Sequence, residues 1–436
     1  MERDTAQEAD PDLQAQLVLL AASHHNLNSL RPLLRIGSAS VQDPETGFTP
    51  LHAAIAACDA NSDTSKVEKE ASTEGAVPNG QTNGHTNGVS GGDEETDLQA
   101  AAKTLRLLLQ YGAIWNDVDK NDETPGCLAL RLGLKELYGI MVDAGVRAEM
   151  LLSRMDEYEP LGDGDDDEEG EEGEQSNDEA VAITKGKADG PAGAGEESIN
   201  GHPPTEQHTV EPVQNDTLNN KDYLQSSLRF QDGRILDSNN NGVMMAWETD
   251  IMKRTADLLA PRPDLRILNI GHGMGIIDTF FQEMTPRAHH IIEPHPAVLA
   301  RMKKDGWYEK AHVTIHEGRW QEVVHEIIDE GILFDAVYFD TFAEDYKALR
   351  DFFSDCVIGL LDDGGKWGFF NGMGADRQIC YDVYGKVVEM DLFEAGYDTA
   401  WETIEVPEMN KEEWEGVKRR YWTLKVYKLP ICEFIG

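Results

Sequence analysis

The sequence has few basic residues for its length and no long apolar run. Its 436 residues include 38 Lys and Arg against 81 Asp and Glu, so the formal net charge is −43. Such a chain repels nucleic acid and anionic lipid at long range, and we expect neither as a direct partner. No stretch approaches the roughly 18 apolar residues of a transmembrane helix, and the acidic N-terminus is unlike a signal peptide. We therefore expect a soluble protein of the cytoplasm and nucleus.

Cysteine is also scarce and irregularly placed. The five cysteines form no CxxC pair and have no spacing typical of a disulfide framework or a zinc site, which indicates a reducing compartment. His289, His290 and His295 are close in sequence, but neighbours in a strand point to opposite faces of a sheet. We expect no metal ion and no Ser/His/Asp or Cys/His catalytic arrangement.

Composition divides the chain into three predicted parts. The first part, residues 1–155, is rich in Leu and Ala at helical spacing over 11–58 and 98–150, and we expect the polar insertion at about 59–97 to be disordered. Residues 156–220 include the acidic tract at 162–174, in which like charges keep the backbone extended. A solvating linker is the simplest interpretation of this tract, and a docking site for a basic partner is the alternative. Residues 221–436 have the composition of a globular domain.

The first part contains two related hexapeptides. Residues 49–54 read Thr-Pro-Leu-His-Ala-Ala, which resembles an ankyrin signature, and residues 124–129 read Thr-Pro-Gly-Cys-Leu-Ala. The copies are 75 positions apart, and subtracting the ankyrin period of about 33 leaves roughly 42, close to the length of the polar insertion. With helices expected at 17–22, 30–36 and 134–144, the pattern predicts two or three repeats that bind protein. We expect His52 to connect turns by hydrogen bonds.

The third part opens with a glycine loop between an apolar strand and a helix. Residues 265–276 read Leu-Arg-Ile-Leu-Asn-Ile-Gly-His-Gly-Met-Gly-Ile. Glycines at such a turn let a ligand approach the backbone amides, which is typical of a nucleotide site. The third glycine of the dinucleotide fingerprint is missing, which disfavours NAD.

The strands that follow place polar groups at the same edge of the predicted sheet. Glu293 ends the apolar run of the strand at 289–295, 22 positions after Gly271, where a carboxylate can accept hydrogen bonds from ribose hydroxyls. Trp320 and Gln321 follow the strand at 311–316 and could contact an adenine, although Trp320 could instead be ordinary core. Asp340 ends the strand at 334–341 and should face the ligand.

The remaining pattern completes an α/β fold. A helix is predicted at 344–361, a fifth strand at 365–370, and two late strands at 401–406 and 421–427 that pair at the sheet edge. Strands that alternate with helices predict a doubly wound, mostly parallel sheet.

A set of motifs in this part resembles a known family. Residues 242–252 read Gly-Val-Met-Met-Ala-Trp-Glu-Thr-Asp-Ile-Met, and the set continues with the loop at 271–276, Glu-Pro-His at 293–295, Gly-Arg-Trp at 318–320 and Phe-Asp-Thr at 339–341. Together they resemble guanidinoacetate methyltransferases and, more closely, the fungal type IV protein arginine methyltransferases, which modify the internal δ-nitrogen. Those proteins also have an ankyrin-like region before a class I Rossmann-like methyltransferase domain.

The resemblance implies S-adenosylmethionine as methyl donor, no metal, and a basic protein substrate, with a ribosomal protein as one candidate; we expect a monomer. Met245 is an alternative to Met244, and His272 stands where an aromatic residue is common in the family. Matched motif by motif, the cofactor-binding roles fall on Phe230, Met244, Met252, Gly271, His272, Gly273, Met274, Gly275, Ile276, Glu293, Pro294, His295, Trp320, Gln321 and Asp340.

The chemistry points to two acidic residues. An arginine guanidinium is a poor nucleophile because it is cationic and has no free lone pair. Two carboxylates can hold this flat cation and aim one nitrogen at the donor methyl. Glu248 and Asp340 are the predicted pair, and in the related family the matching acids bind the guanidino group. The alternative for Glu248 is a charge at a helix N-terminus.

Three functions from different classes remain open at this point. The favoured one is methylation of arginine in a protein, with the helical region recruiting that protein. A small-molecule guanidino methyltransferase is the second, although a metabolite gains nothing from a repeat domain. A non-catalytic scaffold that binds the cofactor is the third, and the presence of Glu248, Glu293 and Asp340 argues against it.

Overall fold

A computed structural model describes residues 11–58, 96–155, 220–231, 233–409 and 411–436. The predicted insertion at about 59–97 and the acidic linker at 156–220 lie outside these residues, except for Thr96, Asp97 and Asn220. Within the described residues, no helix has the length and apolar character needed to cross a bilayer.

The first part of the chain is helical, as predicted. The helix expected at 30–36 ends earlier, at Leu33, and the one expected at 134–144 extends to Met155. Thr96 and Thr124 cap two of the helices by accepting hydrogen bonds from backbone N–H groups. The helices are α1 (Pro11–Ser23), α2 (Leu27–Leu33), α3 (50–58), α4 (Asp97–Gln110), α5 (Pro125–Arg131) and α6 (Lys135–Met155).

The two hexapeptides are joined through His52, which is fully buried. The backbone N–H of Thr49 donates to His52 Nδ1 at 3.2 Å, and His52 Nε2 donates to the carbonyl oxygen of Glu123 at 2.9 Å. Glu123 directly precedes Thr124, so one imidazole connects the two turns. The expectation that His52 has a hydrogen-bonding role is confirmed.

The second part is built on a seven-stranded sheet of order β6-β5-β4-β7-β8-β10-β9. Strands β4 to β8 are parallel, and β10 is antiparallel to both β8 and β9. The predicted Rossmann-like, mostly parallel sheet is therefore confirmed. The strands are β4 (Arg266–Ile270), β5 (Ala288–Glu293), β6 (Val313–Glu317), β7 (Phe334–Phe339), β8 (Leu361–Phe369), β9 (Tyr397–Glu405) and β10 (Val426–Phe434).

Helices cover both faces of this sheet because side chains alternate along the buried strands. In β4, Ile267 packs into the cluster that includes α8 and α9, whereas Leu268 packs into the cluster that includes α11. A turn of π-helix, Phe352–Cys356, separates α12 from α13. The helices are α7 (Asn220–Gln225), α8 (Thr249–Leu259), α9 (Ile276–Glu283), α10 (Pro296–Lys304), α11 (Trp320–Asp329), α12 (Tyr346–Asp351), α13 (Val357–Leu360) and α14 (Gln378–Glu394).

Two features of the second part differ from the prediction. The strand expected at 421–427 is wrong over 421–425, because these residues are irregular. The indole N–H of Trp422 donates to the Leu424 carbonyl oxygen at 2.8 Å, and Tyr421 lines the cleft described below. A second, three-stranded antiparallel sheet was not predicted. It consists of β1 (Arg229–Gln231), β2 (Arg234–Leu236) and β3 (Gly242–Met245).

The hydrophobic core of the helical part includes residues of α14 from the sheet part. Ile379 and Val383 of α14 belong to the same buried cluster as the helices of the first part. Two glycines make this close approach possible: a Cβ at Gly126 would lie 1.8 Å from Ile379 Cδ1, and a Cβ at Gly145 would lie 2.6 Å from Val383 Cγ2. The helices α5 and α6 are therefore packed directly on α14.

Candidate active site

A cleft of about 420 Å³ opens at the carboxyl edge of β4, β5, β7 and β8. Its volume is within the range of about 300–1,000 Å³ for small-molecule sites. It lies where open α/β sheets bind their ligands. The predicted site residues that line it are Met244, Glu248, Gly271, Gly273, Glu293, Pro294, Trp320, Gln321 and Asp340.

The glycine loop has a backbone that side chains would obstruct. Gly271 has φ +97°, and a Cβ there would lie 1.9 Å from the carbonyl oxygen of Asp340. Gly273 has φ +54°, and its Cβ would lie 2.7 Å from Met244 Sδ. Both positions need glycine for conformation and for space. The loop therefore passes directly beside the end of β7.

Glu293 is buried at the end of β5 and fixes the loop. Its Oε2 accepts a hydrogen bond from the backbone N–H of His272 at 2.9 Å, and its Oε1 accepts one from His295 N–H at 2.8 Å. Burial raises the pKa of Glu293, and these N–H groups act in the opposite direction. The backbone N–H of Gly273 also bonds to this carboxylate. A carboxylate has about four acceptor positions, so the group can still accept a hydroxyl of a ribose.

Trp320 and Gln321 are held together by Glu344. The indole N–H of Trp320 donates to Glu344 Oε2 at 2.9 Å, and Gln321 Nε2 donates to Glu344 Oε1 at 2.8 Å. Trp320 also packs edge-on against Phe339 and Phe352, so it is both core and cleft lining. Gln321 Oε1 is buried and finds no hydrogen-bond donor in the described chain. Such an unpaired acceptor fits the amino group of an adenine.

Seven predicted cofactor residues do not line the cleft: Phe230, Met252, His272, Met274, Gly275, Ile276 and His295. Met252 is fully buried, and its sulfur accepts from the Tyr338 hydroxyl at 3.6 Å. Phe230 lies under the Arg301 guanidinium, 5.8 Å from the ring centroid. His295 is buried, and its Nε2 is 3.1 Å from the carbonyl oxygen of Tyr223.

The remaining positions lie in or next to the glycine loop and stabilise its conformation. Gly275 precedes α9, which begins at Ile276, and the N–H of Met274 donates to Met244 Sδ at 3.2 Å. His272 Nδ1 is 2.7 Å from Asp278 Oδ2, which also lies inside the fold. Burial acts to raise the pKa of Asp278, but bonds from His272 and His289 lower it to about 2. These residues shape the lining without forming its surface.

Glu248 lies at the junction of β3 and α8. It is 4% exposed, and its carboxylate makes no capping bond to α8. Instead, Oε1 accepts hydrogen bonds from the Met245 N–H at 3.3 Å and from the Tyr421 hydroxyl. Burial, and then the charge of Asp340, raise the pKa of Glu248 to about 8. This geometry favours a site role over that of a helix-terminal charge.

Asp340 follows the last residue of β7 and is partly exposed to the cleft. Burial, and then the charge of Asp278, raise its pKa to about 7. Within the described chain, the carboxyl groups of Asp340 and Glu248 form no ion pair with a basic side chain. Two such acids facing one cleft favour a cationic ligand, which would stabilise their ionised forms.

The sequence did not indicate every residue of this cleft. The sequence pattern predicts a strand at Tyr421 and the start of a helix at Glu344, and neither prediction indicates a place in the cleft. Trp115 and Asn116 of the helical part also line the cleft, and they are more than 100 positions from the other residues that line it. No local pattern in the sequence connects positions so far apart.

Comparison with known proteins shows the family of this chain. A family model described as guanidinoacetate N-methyltransferase matches residues 225–405. Protein arginine N-methyltransferase 2 of Emericella nidulans is 52% identical over 437 residues, covering 98% of each chain. The chain belongs to the protein arginine N-methyltransferase 2 family.

Another family member, protein arginine N-methyltransferase 2 of Aspergillus fumigatus, is 53% identical over 432 residues, and the alignment covers 97% of each chain. As a member of the protein arginine N-methyltransferase 2 family, the protein is a methyltransferase. Among solved structures, precorrin-6y C5,15-methyltransferase from Geobacter metallireducens aligns with a TM-score of 0.32 and 17% identity, covering 42% of this chain and 87% of that one.

Proposed function

We propose that this protein transfers the methyl group of S-adenosylmethionine to a guanidino nitrogen of arginine in a basic protein. The observation that carries the proposal is the pair of acids, buried Glu248 and partly exposed Asp340, which face one cleft without a basic partner in the described chain. A guanidinium is the flat cation that two carboxylates can bind in a fixed orientation.

The rest of the cleft can hold the donor. The glycine loop leaves space beside its backbone for a ligand. Glu293 can accept hydrogen bonds from a ribose, and the unpaired Oε1 of Gln321 can accept one from an amino group. When bound, S-adenosylmethionine supplies an electrophilic methyl on its sulfonium. Transfer replaces the sulfur–carbon bond with a nitrogen–carbon bond, and the guanidino group releases one proton. Glu248 and Asp340 hold the guanidinium in line and can accept that proton.

The internal δ-nitrogen is the acceptor we propose. Two carboxylates that bind the terminal nitrogens of the guanidinium leave the internal nitrogen as the one free to face the donor. The motifs at 242–252 and 339–341 that resemble the type IV enzymes support the same position. Mass spectrometric fragmentation of the methylated product tests it, because methylation at a terminal nitrogen gives different fragments.

We also propose that the helical part is an ankyrin-like array that recruits the protein substrate. His52 joins the two Thr-Pro turns by hydrogen bonds to Thr49 and Glu123, in the arrangement expected when one repeat follows another. The residues predicted as an insertion separate the two turns in sequence.

A small-molecule guanidino methyltransferase is the second candidate, because the guanidinoacetate family model matches only within the sheet part. Methyl-labelled S-adenosylmethionine incubated with the protein, a basic protein extract and guanidinoacetate separates the candidates. Label in protein supports the proposal. Label in guanidinoacetate alone supports the small-molecule function, and no label in either leaves only the scaffold hypothesis.

A further inference from the structure

The cleft that holds the acid pair extends to the helical part of the chain. Trp115 and Asn116, in the segment after α4, line it together with Cys380 and Tyr384 of α14. Its wall is therefore built from two regions of the chain, one of which contributes nothing to the glycine loop or to the acid pair. A donor pocket and a guanidino site do not by themselves require this second wall.

The segment that carries these residues is held firmly. The N–H of Ile114 donates to Ser40 Oγ at 3.0 Å. Trp115 packs over Gly145, where an added Cβ would lie 3.1 Å from the indole ring. The Trp115 indole also hydrogen-bonds to Glu149, which in turn accepts a hydrogen bond from Tyr384 at 3.1 Å. This network fixes the segment against α14, so Asn116 has a defined position at the cleft.

Asn116 is the polar group that lacks a partner there. The residue is only 8% exposed, and its side chain makes no hydrogen bond to any residue in the parts of the chain that the structure describes. Because Asn116 lines the cleft, its carboxamide, which has no protein partner, is open to a ligand that can supply one. A carboxamide has two donors and one acceptor, which complement the C=O and N–H of a peptide unit.

We propose that Asn116, positioned by Trp115, forms a subsite for the polypeptide backbone beside the acceptor arginine. The ligand class is an extended peptide segment, bound through its amide groups and thus without strong dependence on its side chains. The inference rests on the proposed function, because it needs an arginine within a polypeptide as acceptor. It adds that the helical part shapes the substrate site directly as well as recruiting the protein.

The test uses the full chain and two acceptors. One acceptor is a pool of nonapeptides with arginine at the centre and mixed residues elsewhere. The other is a single arginine blocked at both ends, which carries the guanidino group but little flanking backbone. The variant is Asn116→Ala, and the control is Gln110→Ala, which removes an exposed amide from the end of α4. Calorimetry with S-adenosylhomocysteine and a melting curve verify that each variant is folded.

For Asn116→Ala we expect kcat/KM on the peptide pool to fall about tenfold, as for the loss of one buried hydrogen-bonding group. Turnover of the blocked arginine and the affinity for S-adenosylhomocysteine should stay within twofold of the unchanged protein. Equal losses on both acceptors, or no loss on the peptides, would overturn the subsite. If the unchanged protein methylates guanidinoacetate but neither arginine acceptor, the proposed function itself fails, and the subsite fails with it.

Discussion

The hydroxyl of Tyr421 donates a hydrogen bond to Oε1 of Glu248, joining the segment before β10 to the start of α8. This bond favours the ionised carboxylate and acts against burial, which raises the pKa of Glu248. Tyr421 therefore helps the acid to lose its proton near neutral pH, which it must do to bind a guanidinium.

Tyr421→Phe should move the pH dependence of catalysis to higher pH. In the unchanged protein, kcat/KM should rise with pH as Glu248 and Asp340, whose pKa values are raised to about 8 and about 7, become ionised. Losing the hydroxyl raises the pKa of Glu248 further, so the rising limb shifts toward alkaline pH. At pH 7 we expect kcat/KM to be about fivefold lower, as for one lost hydrogen bond.

The control for this variant is Tyr308→Phe. Tyr308 donates a comparable bond to Glu317 at 2.6 Å, but at an exposed site outside the cleft. Its pH profile should match that of the unchanged protein. An unshifted limb in Tyr421→Phe would show that Glu248 is not the acid whose ionisation limits the reaction.

Asp340→Asn should keep the fold and slow methyl transfer by about 100-fold or more, because a neutral amide cannot hold the cationic acceptor in line. Single-turnover measurements with saturating donor isolate this step from donor binding. Asp363→Asn, at an exposed position of β8, is the matched change and should have full activity. Near-normal transfer by Asp340→Asn would remove this residue from the acceptor site.

Gly271→Ala should abolish measurable binding of S-adenosylhomocysteine and lower the melting temperature. The new Cβ would meet the Asp340 carbonyl oxygen at 1.9 Å, in addition to the cost of about 1–2 kcal/mol for a side chain in the left-handed region. The control is Gly331→Ala, because Gly331 also has a positive φ, +69°, and an added Cβ there would have no atom within 4 Å. It should show the backbone cost alone, with donor affinity retained. Equal effects in the two variants would mean that the contact at Gly271 is relieved by movement.

Glu293→Gln should weaken binding of S-adenosylhomocysteine at least about tenfold, since bonds to a charged acceptor contribute about 1.5–3 kcal/mol. Glu317 is the matched position, because it pairs with Glu293 in the β5–β6 register and is exposed. Calorimetry on Glu317→Gln should give an unchanged dissociation constant. If Glu293→Gln also binds normally, the carboxylate only fixes the backbone of the loop.

Local patterns predicted the frame of the site well. The apolar run before Gly271, the glycine spacing, and the acids at the ends of two strands depend on short stretches of sequence. Glu293 and Asp340 lie where their strands predict, because parallel strands bring their carboxyl ends to one edge. The motif between 242 and 252 likewise predicted Met244 and Glu248 as site residues, and both line the cleft.

Positions that depend on distant contacts could not be predicted in the same way. Met252 matched a family motif, but spacing along a helix does not determine which side faces the ligand, and its side chain is buried in the core. Tyr421 and Trp422 have high strand propensity, but neither lies in a strand. Tyr421 lines the cleft and Trp422 is buried in the core, because tertiary contacts override such preferences. Asn116 reaches the cleft only because α5 and α6 pack on α14.

The close packing at Gly126 and Gly145 determines how the protein can be divided. The face of α14 that those helices cover carries Ile379 and Val383, both fully buried. A shortened chain beginning after residue 155 would present this apolar stripe to water, and exposed stripes of this kind promote self-association. We therefore expect a protein shortened in this way to aggregate, and the helical part and the sheet part to need expression as one chain.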